Sequence, residues 1–350
     1  SLAATPCAGQ TVLATRFTMK TKTKIWIGIG AYLLASASPV VELTSTDHSH
    51  HSPTLSVNLI PEAAAQTPDP CRKGLGGEGG EGGEGGEGGE GGSESSTTPN
   101  PLIKPGELET AVTGYKTYVL QEVDRLLADA KVFTDFVIAG DVKKAKSVYG
   151  SSRLGWERIE PIAESFEAFD SSIDLRVDEF KGEDDPNFTG FHRLELGLFK
   201  YNTTKGYEPF AKKLMDDLQG LKTCVASLEI EPKDMVRGAS ELIEEVAQGK
   251  ITGEEDRYSR MDFWSFKANV EGSEKIVELL RPMVLRINPG LLRQVDNDFA
   301  AVNRMLKKYS LPGGKFMTYD KLTLRDKQQL QADLARLAEN LSKLRGVIGV

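Results

Sequence analysis

His192 and Glu195 stand three residues apart in the stretch Phe-Thr-Gly-Phe-His-Arg-Leu-Glu-Leu-Gly-Leu-Phe, residues 188–199. On a helix, positions i and i+3 share a face, so an imidazole and a carboxylate spaced this way can grip one cation. The chain has 4 histidines, and His48, His50 and His51 sit in a polar N-terminal stretch. His192 is therefore the one histidine open to the folded part. A helix-start or core histidine is the competing reading. Three segments carry carboxylates that could face it. The first holds Glu157 and Glu160, an E-x-x-E pair set among the apolar residues Trp156, Ile159 and Pro161. Acidic and apolar positions so interleaved suggest a partly buried face, where unpaired carboxylates are costly and a cation would offset the cost. A solvated helix face is the alternative. The second segment is Ser171–Asp178, containing Asp174, and the third is Thr252–Asp262, containing Glu254, Glu255 and Asp256.

Other chemistries find little support. No H-E-x-x-H zinc-protease helix is present, because position 193 is Arg and position 196 is Leu. There is no G-x-S-x-G elbow, no phosphate-binding Gly loop after a strand, and no C-x-x-C. A net charge of −8 argues against nucleic acid as a partner.

The elements that must position these residues lie after a long non-globular lead. Residues 1–18 read as sequence upstream of a start at Met19. Residues 19–37 read as a secretory signal peptide: Lys20, Lys22 and Lys24, the apolar run Ile25–Ala35, then Ala35-Ser36-Ala37 for cleavage. A retained anchor is the other reading, and the apolar run is too short for a membrane span. Residues 38–104 combine a His-containing polar tail with Gly-Gly-Glu repeats, which cannot bury a core and serve as an extended linker. The histidine tract could gather transition metals or be chance composition. Cys71 and Cys224 remain in the processed chain, either as a disulfide tethering the tail or as two thiols.

From Pro105 the pattern is helical. Apolar residues recur at 3- and 4-residue spacing from Glu107 to Ala139. A second helix is expected over Asp141–Phe169, with Gly150-Ser151-Ser152 as a point of interruption. A polar loop follows over 170–190, then a short helix from His192. Further helices are expected over 206–228, 231–248, 262–287, 289–309 and, with Thr323 as N-cap, 323–345. No stretch alternates like a strand. The fold class is all-α, about eight helices in packed bundles.

Four segments taken together, W-E-R-I-E-P-I-A-E-S-F (156–166), I-D-x-R-x-D-E (173–179), F-T-G-F-H-R-L-E-x-x-L-F (188–199) and I-T-G-E-E-x-x-Y-S-x-x-D-F-x-x-F-x-A-N-V-E-G (251–272), resemble the imelysin family. The resemblance is nearer to its EfeO/EfeM branch of periplasmic iron-uptake components, and spans about residues 105–350. It implies two four-helix bundles in a pseudo-repeat and a metal site formed by Glu157, Glu160, Asp174, His192, Glu195 and Glu255. It implies iron, Fe(II) or Fe(III), as the metal, with Zn, Mn or Cu as other candidates. It implies a periplasmic location, and as partners an inner-membrane iron permease and a periplasmic peroxidase. The chain departs from the pattern twice. A Gly-Gly-Glu linker stands where many relatives carry a cupredoxin domain. Arg260 stands in Y-S-x-x-D where His is common, which leaves a harder, oxygen-rich site. The family's peptidase label makes a metallopeptidase one rival, and a metal-independent cell-envelope module is another.

Overall fold

The computed structural model describes residues 100–350, and the expected signal peptide, histidine tract and Gly-Gly-Glu linker lie outside the described residues. The all-α expectation holds: among the described residues the only strand pairing is a two-residue ladder, Ser310–Leu311 with Lys315–Phe316.

Helix α1 (Glu107–Ile138) carries the first half. Its Tyr115, Val119, Val123, Leu126, Ala130 and Phe133 are fully buried, the stripe that 3- and 4-residue spacing places on one face. Against it pack α2 (Val142–Ser152), α3 (Leu154–Ile159) and α6 (Glu208–Ser227). Helix α4 (Glu167–Ile173) and the short α5 (Gly190–Glu195) close this bundle against α6. The second bundle is α7 (Pro232–Gln248), α8 (Asp262–Ile287), α9 (Pro289–Lys308) and α10 (Leu324–Ser342), with α11 (Leu344–Ile348) laid on α7 and α8. Thr323 caps α10, accepting from the Asp326 N–H. Helix α8 joins the bundles, touching α3 and α1 as well as α7 and α9. Among the described residues no helix is long and apolar enough to cross a membrane.

Two features of the first bundle differ from the sequence expectation. The segment expected as a helix over 141–169 is interrupted at Arg153, next to the expected point Gly150–Ser152, but it also breaks beyond Ile159, where Pro161 tightens the chain into a 3₁₀ stretch, Glu160–Phe166. Pro removes a helix donor and clashes with the preceding turn, which breaks or kinks an α-helix. The expected 170–190 loop starts later, because α4 runs to Ile173. The chain also packs tightly where the bundles meet: a Cβ on Gly238 of α7 would lie 1.7 Å from the Pro161 carbonyl oxygen. Cys224 is buried in α6 and disulfide-bonded, its partner lying outside the described residues. Asn100, five residues before the expected domain start, donates its backbone N–H to Ile348 O at 3.1 Å.

Candidate metal centre

Helix α5 begins at Gly190, whose φ of 77° is open to glycine and strained for other residues. A Cβ there would sit 2.1 Å from Ile173 O, so glycine also permits the close approach of α5 to the end of α4. That approach brings His192 to Asp174: His192 Nε2 lies 3.6 Å from Asp174 Oδ1. On the other side of the ring, Nδ1 and Glu195 Oε2 are 3.1 Å apart, the contact that i, i+3 spacing foretold. The carboxylate of Glu195 orients the imidazole, as carboxylates do for metal-binding histidines. Glu195 Oε1 in turn accepts the backbone N–H groups of Tyr258 and Ser259, at 3.0 and 2.7 Å. One glutamate therefore ties α5 to the turn segment that follows α7. A π-helical turn, Leu196–Lys200, continues directly from Glu195, a local irregularity common beside functional sites.

Of the six residues expected from the sequence, Asp174, His192, Glu195 and Glu255 fall in groups close enough to share an ion, while Glu157 and Glu160 join the cluster through Arg153, Lys250 and Asn269. Glu157, His192, Glu195 and Glu255 are buried, and the side chains of Glu160 and Asp174 are 11% and 9% exposed, marking the side open to solvent. Oxygen or nitrogen atoms of Asp174, His192 and Glu255 lie within 4.8 Å of one another, as do those of His192, Glu195 and Asp256. Burial narrows the three adjacent acids to two. Glu255 and Asp256 both point inward, while the Glu254 side chain is 60% exposed. Adjacent residues can share a face here because 253–259 is a run of turns rather than a helix. Arg260, standing where His is common, has a left-handed backbone, donates to Gly253 O at 2.6 Å and lies over the Tyr319 ring.

Several members of the site were not anticipated. Arg153, 1% exposed, donates to Glu157 Oε1 at 2.6 Å, Asp174 Oδ1 and Asp256 Oδ1 at 2.8 Å each, and Glu255 Oε1 at 3.2 Å. Its guanidinium lies between the rings of Tyr149 and Phe191. Lys250, 2% exposed, bonds both oxygens of Glu160 at 2.6 and 2.8 Å. Arg176 approaches Glu255 at 3.5 Å. Asn269 donates to Glu157 Oε2 and Glu160 Oε2 at 2.9 and 2.7 Å. Asp262, fully buried, has Oδ1 3.4 Å from the Asp256 N–H and Oδ2 without a partner. A sequence hint existed for Arg153, which precedes Glu157 by four residues, the spacing of a helical ion pair. Nothing in local spacing pointed to Lys250.

Seven carboxylates thus face three cations, an excess of four negative charges if all are ionised. Burial drives protons onto five of them, Asp174, Glu160, Glu195, Asp256 and Asp262. It raises the Asp174 carboxyl well above its usual range despite Arg153, and the Glu160 carboxyl despite Lys250. Burial, then the neighbouring Asp256, raises Glu195 as well. Asp256 is pushed up to about 6 and Asp262 to about 7, burial again leading in both. Glu255 is the exception: burial would raise it, but Lys250, Arg176 and Arg153 outweigh burial and hold it ionised. Burial and the nearby Arg153 keep His192 neutral. Its Nε2 is buried and has no hydrogen-bond partner. A neutral imidazole nitrogen without a partner, within 4 Å of a carboxylate oxygen, can donate to a cation in the tautomer that carries its proton on Nδ1.

The imelysin family model (peptidase family M75) matches residues 111–344. The chain belongs to the imelysin family. Among its curated relatives, the iron uptake system component EfeO of Escherichia coli strain K12 is 51% identical over 241 residues, 69% of this chain and 64% of the relative. The EfeO proteins of Shigella flexneri and Shigella sonnei match with the same identity and coverage. The chain therefore spans just under two thirds of the length of these relatives. The imelysin match encloses every residue of the cluster described above, from Arg153 to Asn269.

Proposed function

We propose that the protein is an iron-binding component of an iron-uptake system, working in the periplasm and passing iron to a membrane permease. Iron is cargo in this reading, not a resident cofactor. The observation that carries it is His192 Nε2, buried, neutral and unpartnered, converging with Asp174 and Glu255. The residues fit a hard cation: one nitrogen among many carboxylate oxygens suits iron or manganese better than a soft-ligand metal. Glu195 holds the imidazole, Glu255 supplies an ionised oxygen, and Asp174 and Glu160 border the solvent side. Glu157 lies deeper, fixed by Arg153 and Asn269. Burial leaves Asp174, Glu160 and Glu195 holding protons, and an entering cation competes with those protons for the same oxygens. Similarity to EfeO supports iron as that cation.

Titration of the full chain with iron against a chromogenic chelator tests the reading. The double variant H192A/E195A should lose most of the affinity while remaining helical by circular dichroism. Equal affinity in the two proteins would remove the site from consideration.

A further inference from the structure

Lys250 is out of place for a site meant to attract a cation. It begins the 3₁₀ turn Lys250–Thr252 that follows α7, and its stem is buried. Its ammonium nitrogen lies 2.6 and 2.8 Å from the two oxygens of Glu160, 3.5 Å from Glu255 Oε1 and 3.6 Å from Glu157 Oε2. A compact positive charge ringed by oxygens of three carboxylates is where a hard cation would itself sit. Two of the three, Glu160 and Glu255, are among the residues that would hold iron, and Glu255 also faces His192 in the donor triad with Asp174.

Arg153 differs. Its planar fork is spread over four carboxylates and held between two aromatic faces, so it serves as framework. Lysine is a point charge on a flexible stem. The Glu160 side chain that anchors Lys250 is 11% exposed and Lys250 itself 2%, so Glu160 is the more outward of the pair.

We propose that Lys250 is a resident counter-cation, exchanged when metal enters, that sets the affinity of the site. In the metal-free protein its ammonium sits among the oxygens of Glu160, Glu157 and Glu255. Entering metal takes over the Glu160 and Glu255 oxygens, and the ammonium gives them up. The lysine therefore weakens metal binding in return for a stable empty state, which suits a protein that must release its cargo. This inference rests on the metal-binding reading above and adds to it a residue that opposes the ligands.

The test is competition for Fe(II) under anaerobic conditions, with a chromogenic chelator, using the full chain as wild type, K250Q and E160Q/K250Q. Removing one positive charge from beside the metal should tighten K250Q by at least about tenfold, since charges a few ångströms apart interact strongly even at an effective permittivity near 20. Metal dissociation should slow in parallel. The empty K250Q protein should melt earlier than wild type, and added metal should raise its melting temperature more. A K250Q chain that folds only with metal present would support the exchange directly. A folded K250Q that binds as wild type does, or more weakly, overturns it while leaving the metal site standing. If wild type and K250Q are both folded and neither binds iron, the exchange and the metal reading fall together. Should K250Q be unfolded in both states, E160Q/K250Q decides. Affinity near wild type supports cancelling roles for the two residues, and a loss of about tenfold or more assigns Lys250 a purely structural role.

Discussion

Asp262→Asn should make the empty protein more stable and a poorer metal binder. Asp262 is fully buried at the start of α8, one oxygen has no partner, and burial plus the charge of Asp256 raise its pKa to about 7. In the unfolded chain the group titrates near 3.8. Because the folded value is the higher one, its stabilising contribution is complete below about pH 4 and is lost as pH rises through about 7. The difference of roughly three pKa units sets a ceiling of about 4 kcal/mol at pH 8, at 1.36 kcal/mol per unit. Asp262 and Asp256 titrate as a pair, so about half of that belongs to this side chain alone. Asparagine keeps the shape and an acceptor oxygen but gives up a favourable charge in the first helical turn, worth about 0.5 kcal/mol. The net expectation at pH 8 is about 1.5 kcal/mol or more in favour of the variant, with a smaller gain at pH 5. For a domain of this size that is a rise of about 3–6 °C in melting temperature. Thermal unfolding followed by circular dichroism, in chelator at pH 5 and pH 8, measures it. A variant no more stable than wild type at pH 8, or a gain that does not change with pH, would refute the argument that the cluster stores unfavourable charge. Iron affinity of the same variant should fall, since one negative charge has gone.

Two further outcomes follow from the same geometry. Iron binding should release protons and strengthen as pH rises from about 5 to 7, because burial raises Asp174, Glu160, Glu195 and Asp256 and metal competes for their oxygens; titration in weak buffer with a pH indicator reads the released protons. Gly190→Ala should cost about 3 kcal/mol or more and abolish tight iron binding, since its Cβ would collide with Ile173 O and push α5, with His192, away from Asp174; denaturant unfolding together with iron titration checks both effects.

The helical class and most helix limits were legible in the sequence because they rest on local relations, whereas the six candidate ligands as a set came from the resemblance to the imelysin family. The i, i+3 spacing of His192 and Glu195 becomes a contact as soon as α5 forms, and it does. Glycine and proline punctuation set the ends of α7, α8 and α9 close to where spacing placed them. The run 141–173 was less legible. There the interruption expected at Gly150–Ser152 falls at Arg153, and Pro161 adds a second break through its backbone chemistry.

What only the tertiary structure decided is the charge balance of the cluster. Glu157, Asp174 and Glu255 lie far apart in the chain, and a guanidinium from the α2–α3 break unites them. Lys250 enters from the end of α7, Asp256 from a turn and Asp262 from the start of α8. Carboxylates can be listed from a sequence because their identity is enough to make them candidate ligands. Whether each meets a metal, a proton or a neighbouring cation depends on distances of a few ångströms between segments, in a buried setting where such distances change the energy most.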